Sequence, residues 1–134
     1  MVTFDEEPRP QSPVTKATGV REVAAIAAWI AHREAGNVEA ACSLCSPTLV
    51  VEPLRGGAIE GIDRAKASVF VKPAQPPTEI IQPLQPMDGV LGGFFREVVF
   101  TAAFLFKAKV RQEWYVINTG DGVKITKIAL TKLP

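Results

Sequence analysis

The sequence is poor in the residues that most chemistry needs: its 134 residues include one histidine, one tyrosine and two cysteines. Two cysteines do not build a disulfide framework, and with no sign of secretion they are expected as reduced thiols in a cytoplasmic setting. They form Cys42-Ser43-Leu44-Cys45, a CxxC spacing with no second cysteine pair and no preceding strand, so neither a zinc site nor a redox motif is supported. Excess charge is also missing. Fifteen Lys and Arg against 14 Asp and Glu leave a formal +1, which offers no field for nucleic acid or an anionic membrane. The longest apolar runs, around Ala24 to Ala31 and Val98 to Phe106, fall far short of the roughly 20 residues of a membrane span. Gly56-Gly57 and Gly92-Gly93 lack both GxGxxG and P-loop spacing, and no cofactor or metal is expected. Met1 to Pro13 carries acidic residues and three prolines where a signal peptide needs a basic start and an apolar run, so residues 1–17 are expected as a mobile tail.

What is present is a core. With 47% apolar residues the chain can build one self-sufficient domain, placed at residues 18–134. Val20 to Ala35 repeats Val23, Ala27, Ile30 and Ala31 at helical spacing, with Arg21, Glu22, Arg33 and Glu34 in other directions, which predicts an amphipathic helix. Gly36 suits its left-handed end, and Asn37 can cap a second helix reaching about Cys45. Pro47 would stop that helix. Thr48 to Glu52 then predicts a short strand, and Ile59 to Val71 a third helix carrying Ile62, Ala65, Val69 and Phe70 at helical intervals.

Beyond the proline-rich connector 72–77 the pattern turns to sheet, with strands expected in Thr78 to Met87, Phe94 to Phe106, Val110 to Ile117 and Val123 to Leu133. Asp88-Gly89 and the stretch Asn118 to Gly122 supply hairpin turns. Phe94 to Phe106 also fits a helical period, but its Phe and Val content decides for strand. No Gly, Pro, Asn or Asp falls between Gly93 and Asn118, so an unmarked break is expected near Lys107 or Ala108. The fold class is α+β, a curved and mostly antiparallel sheet wrapped around three N-terminal helices.

Four motifs carry a family resemblance. Gly36-Asn37-Val38-Glu39-Ala40-Ala41 follows the long helix, Ser46 to Pro53 reads SPTLVVEP, Glu60-Gly61-Ile62-Asp63 opens a helix, and Glu113-Trp114-Tyr115-Val116 precedes Gly122-Val123-Lys124-Ile125. Together, over residues 18 to 133, they resemble the nuclear transport factor 2-like superfamily in its SnoaL-like, ketosteroid-isomerase-like branch. The resemblance implies a cone-shaped barrel with an apolar pocket, often dimerised through the outer face of the sheet. It does not choose an activity, because the superfold serves isomerases, dehydratases, epoxide hydrolases, cyclases and non-catalytic binding or assembly modules.

The resemblance also implies roles for three residues. Glu52 stands where ketosteroid-isomerase-like proteins carry a general base, and a carboxylate at the rim of an apolar pocket is raised by desolvation toward the range of proton transfer. A strand-end glutamate facing water is the competing reading. Glu113 matches the second acid, yet alternation puts it beside Lys107, Lys109 and Arg111 and opposite Ala108, Val110, Trp114 and Val116, which favours a charged outer face. His32 could join a distant acid such as Glu52, but helical phase leaves it at the edge of the buried stripe. The helix-borne tyrosine of the isomerases has no counterpart here, since Ala28 and Trp29 occupy that place.

Candidate ligand-binding residues are Trp29, Phe70, Phe94, Phe100, Phe104 and Trp114, because small-molecule pockets are lined mainly by apolar and aromatic side chains. Two functions stand side by side. One is a small apolar molecule held in the cone, with cofactor-free isomerisation or dehydration if Glu52 acts as base. The other is a dimeric assembly module that meets a protein partner through the sheet face.

Overall fold

Helix α1 spans Gln11–Ala35 in the computed structural model, which describes residues 11–102 and 106–134, the side chains of 11–18 excepted. It begins before the expected Val20, and Pro13 falls in its first turn, where a missing N–H removes no intrahelical bond. Residues 1–10 of the expected tail lie outside the described residues. The buried stripe of α1 is Glu22, Ile26, Trp29 and Arg33, at steps of four, three and four. This corrects the stripe expected from Val23, Ala27, Ile30 and Ala31, of which Ala27 and Ala31 are exposed. Long charged side chains at both ends of a stripe bury their apolar stems, and a count of aliphatic residues does not register them.

Gly36, at φ +79°, ends α1 as expected, and α2 covers Val38–Ser43. Strand β1 follows at Cys45–Glu52. The single helix expected over Ile59 to Val71 is corrected to two elements, a two-residue strand β2 (Ile59–Glu60) and a short helix α3 (Ile62–Ala67). The reason is a tertiary pairing: Ile59 and Glu60 sit opposite Val51 and Val50 of β1, and Gly61, at φ +94°, turns the chain into the helix.

Strands β3 (Glu79–Pro86), β4 (Gly93–Ala102), β5 (Phe106–Thr119) and β6 (Gly122–Lys132) complete a six-stranded sheet in the order β2-β1-β6-β5-β4-β3. Every neighbouring pair is antiparallel except β1 and β6. The sheet does not close, since β2 and β3 remain its edges. Lys107 and Ala108 lie inside β5, paired with Thr101 and Phe100, and Ala102 already pairs with Phe106. The break expected at Lys107 or Ala108 is therefore corrected, since β5 runs through both from Phe106 onward.

Register builds one inner face from four strands, with Phe94, Trp114, Ile128 and Val51 standing side by side across β4, β5, β6 and β1. Helix α1 lies against it through Trp29, whose ring meets Trp114 edge-on at 6.1 Å and Phe70 at 5.8 Å. Edge-to-face pairs of this kind contribute about 0.5–1.5 kcal/mol each beyond their area. No helix among the described residues is long and apolar enough to cross a membrane.

One turn holds the register of β4 against β5. Gly92, at φ +76°, accepts a hydrogen bond from Val116 N–H at 2.9 Å, and a Cβ placed there would lie 2.6 Å from the Val116 carbonyl oxygen. Gly92→Ala is expected to cost about 2–4 kcal/mol through left-handed strain and backbone overlap. Gly120, open on all sides, is the control. Urea unfolding of the two alanine variants decides the matter, and equal midpoints would refute the close approach.

Candidate functional site

A partly open cavity of about 320 Å³ lies between α1 and the inner face of the sheet. Helix α1 contributes Trp29, Ile30, Arg33 and Glu34 to its lining, Val69, Phe70 and Ala74 close one side, and the sheet supplies Val51, Arg96, Phe100, Gln112 and Trp114. The inward positions follow from strand alternation: Phe94, Arg96, Val98 and Phe100 share one side of β4, facing Trp114, Gln112, Val110 and Ala108 of β5.

Two guanidinium groups stand in this apolar setting. Arg33 is 8% exposed and donates from Nη1 to the Lys72 carbonyl at 2.9 Å and from Nη2 to the Val69 carbonyl at 3.0 Å. Its own carbonyl accepts from Ala74 N–H at 2.8 Å, so α1 and the wall of residues 69–74 are tied at both ends of the residue. The guanidinium lies 4.8 Å from the Phe70 ring centre and 6.0 Å from that of Trp29. Arg96 donates from Nε to Gln112 Oε1 and lies 5.8 Å from the Trp114 ring centre. Burial pulls both arginines below the ordinary guanidinium value, Glu34 partly restoring Arg96. Both stay charged at neutral pH.

The structure brings together four of the candidate aromatics, Trp29, Phe70, Phe100 and Trp114, around the cavity. Phe94 is buried in the core beside Trp114 but does not line the cavity, and Phe104 lies outside the described residues. His32 is half-buried on α1 and absent from the lining.

The placement of Glu52 at the pocket rim is corrected. Val51 points into the cavity, so the next residue of the strand points the other way, and Glu52 is exposed with its carboxylate 3.3 Å from Lys127 Nζ. Glu113 is on the same outer face. It accepts hydrogen bonds from Arg111 Nε at 2.8 Å and from Tyr115 OH at 2.9 Å. Burial alone would raise its carboxyl, but those two bonds outweigh it and hold the group below the usual carboxylate range. Arg111 also reaches Glu97 at 3.2 Å, and Lys127 lies 5.3 Å from the Tyr115 ring centre. The two catalytic acids expected from the resemblance therefore share a surface, and it is the surface opposite the pocket.

Arg33, Arg96 and Gln112 are among the polar pocket residues that sequence reasoning missed. The signal for Gln112 was present in the alternation that places it between Val110 and Trp114. Arg96 sits in Phe94-Phe95-Arg96-Glu97-Val98-Val99, where apolar residues occupy both phases of the strand and neither is marked as inward.

Both cysteines are unbridged. Cys45 is 6% exposed, and burial, reinforced by Cys42, pushes its thiol up to about 12. Burial raises Cys42 as well. Neither has the lowered value of a reactive CxxC thiol.

No protein-family model and no curated protein matches the chain. Solved structures do. A ketosteroid isomerase-like protein from Erwinia carotovora atroseptica superposes with a TM-score of 0.62 at 13% identity, over 87% of this chain and 96% of the other. An NTF2-like protein with a cystatin-like fold from Novosphingobium aromaticivorans gives 0.59 at 14%, over 92% and 85%. A candidate dehydratase of the NTF2-like family from Streptomyces avermitilis gives 0.63 at 14%, over 90% and 99%. These likenesses fix the architecture: the chain has the nuclear transport factor 2-like fold, as its motifs implied.

Proposed function

We propose that this chain binds a small, largely apolar molecule in the cavity between α1 and the inner face of the sheet. The observation that carries the reading is the cavity of about 320 Å³ walled by Trp29, Phe70, Phe100 and Trp114. Its size is at the lower end of the roughly 300–1,000 Å³ typical of small-molecule sites, which suits a compound of one or two rings. Proton transfer by Glu52 has less support, because that carboxylate is paired with Lys127 on the other side of the sheet. The acid that reaches the cavity lining is Glu34. Assembly through the outer face also has less support, since Glu97, Arg111, Glu113 and Lys127 there already pair with one another or with Glu52 in place of an exposed Phe and Val patch.

The chain's two tryptophans both line the cavity, so intrinsic fluorescence reports on it directly. A fragment screen by ligand-observed NMR is expected to yield aromatic compounds that change this fluorescence. Leu130→Trp, which adds bulk at a lining position, should weaken the hits by roughly tenfold or more, and Glu52→Gln should leave them within about twofold. A screen without hits, or hits indifferent to Leu130→Trp, would overturn the reading.

A further inference from the structure

We infer that the ligand is an anion, an aromatic or alicyclic carboxylic acid whose ionised end is taken by Arg96 with Arg33 adding charge. The inference rests on the binding role proposed above and specifies the ligand's chemistry. Among the described residues lining the cavity, Arg33 and Arg96 are the cations and Glu34 the acid. Among the described residues no carboxylate lies within ion-pair distance of either guanidinium. A buried cation such as Arg33 normally has a counter-charge beside it, and half-buried Arg96 feels Glu34 only from beyond ion-pair distance. The outer face shows the contrast: Arg111 there is held between Glu97 and Glu113.

Neutral acceptors satisfy only part of the two groups. The terminal nitrogens of Arg33 donate to the Lys72 and Val69 carbonyls, so this residue is largely committed to holding the cavity wall. Arg96 uses its Nε–H on Gln112, and both of its terminal nitrogens are without a partner among the described residues. A guanidinium presents those nitrogens in a planar fork that matches a carboxylate in two parallel hydrogen bonds. Gln112 fixes the orientation of the fork from the neighbouring strand. The Trp114 ring lies beneath Arg96, 5.8 Å from its guanidinium carbon. The rings of Trp29, Phe70 and Trp114 then form the surface on which the ligand's apolar body lies, and the low dielectric they create strengthens the charge pairing at its end.

Matched acid and amide pairs test this: benzoate, cinnamate and 2-naphthoate against benzamide, cinnamamide and 2-naphthamide, titrated calorimetrically at neutral pH. The acids are expected to bind roughly tenfold or more tightly than their amides, with the difference shrinking as salt is added. Arg96→Gln should bring the acids down to the level of the amides while amide affinity stays constant, which shows the cavity intact. Equal or tighter binding of the amides to the unmodified protein would overturn the anionic ligand and leave the binding role standing. A preference for acids that survives Arg96→Gln would also overturn the assignment. If neither series nor any other fragment binds, the binding role falls with it.

Discussion

Replacing Trp114 with alanine is expected to remove about 3–5 kcal/mol of folding stability, a large share of the roughly 5–15 kcal/mol that holds a domain of this size together. Trp114 is 1% exposed and pairs across the sheet with Phe94 on one side and Ile128 on the other. Its ring stands edge-on to Trp29 at 6.1 Å, so it joins the sheet to α1. Strands on both sides and a helix above hold the wall in place, so the space an indole vacates adds to the cavity it lines instead of being filled, which puts the cost within the range for large-to-small changes. Trp114→Phe separates packing from polarity. The phenyl ring keeps most of the wall and removes an indole N–H that is buried without an acceptor, so the loss should be only about 1 kcal/mol. Urea unfolding followed by circular dichroism is the measurement, because the substitution removes one of the two fluorophores. A Trp114→Ala midpoint close to that of the unmodified protein would show that the contact between helix and sheet is not centred on this residue.

The same neighbourhood shows which parts of the structure were legible in the sequence. On β5, Val110, Trp114 and Val116 alternate with Lys109, Arg111 and Glu113, so one phase is apolar and the other charged, and the outer placement of Glu113 followed from local pattern alone. On β1 both Val50 and Val51 are apolar, and nothing nearby decides which faces inward. That choice is made by β6, which sets Val51 opposite Ile128 and Glu52 opposite Ala129. The pairing is between residues far apart in sequence, and with it the side on which Glu52 emerges. The resemblance supplied a role for Glu52 that this pairing does not honour. The helix over Ile59 to Val71 failed for a related reason, since Ile59 and Glu60 gain more from pairing with β1 than from one extra helical turn. On α1 the helical period was correct and the phase was not. Glu22 and Arg33 were placed off the apolar stripe, in other directions, whereas one sits 6% exposed beside Asn118 and the other 8% exposed against Phe70. A polar residue is buried where a partner or a ligand makes burial tolerable, and single-sequence pattern carries no information about that partner.

Between neutral pH and about pH 11 the unmodified protein is expected to lose stability that a Cys45→Ala variant retains. Cys45 opens β1 at 6% exposure, with its sulfur 3.6 Å from the Ala41 carbonyl oxygen as acceptor. Burial, and after it the nearby Cys42, push the thiol up to about 12, against the weaker opposing influence of the Trp29 indole and Lys124. In the unfolded chain a cysteine titrates near 8.5. The folded state therefore keeps a proton that the unfolded state gives up. The stabilisation is complete below the unfolded value and is lost as pH rises toward the folded one, at about 1.4 kcal/mol per pH unit and up to about 5 kcal/mol in all. Burial also raises Tyr115, with Glu113 adding to it, so that group acts in the same direction, but it is present in both proteins and cancels in the comparison. Urea midpoints from pH 7 to 10.5 should diverge between the two proteins, and parallel curves would refute a buried neutral thiol. A kinetic arm reads the same property at neutral pH. With a thiolate fraction of about 10⁻⁵ at pH 7, against a few per cent for a free cysteine, Cys45 should react with thiol reagents only through unfolding. The CxxC spacing is then a consequence of packing: Cys42 and Cys45 sit where a short helix hands over to the first strand, and the second of them is a small apolar side chain of the core.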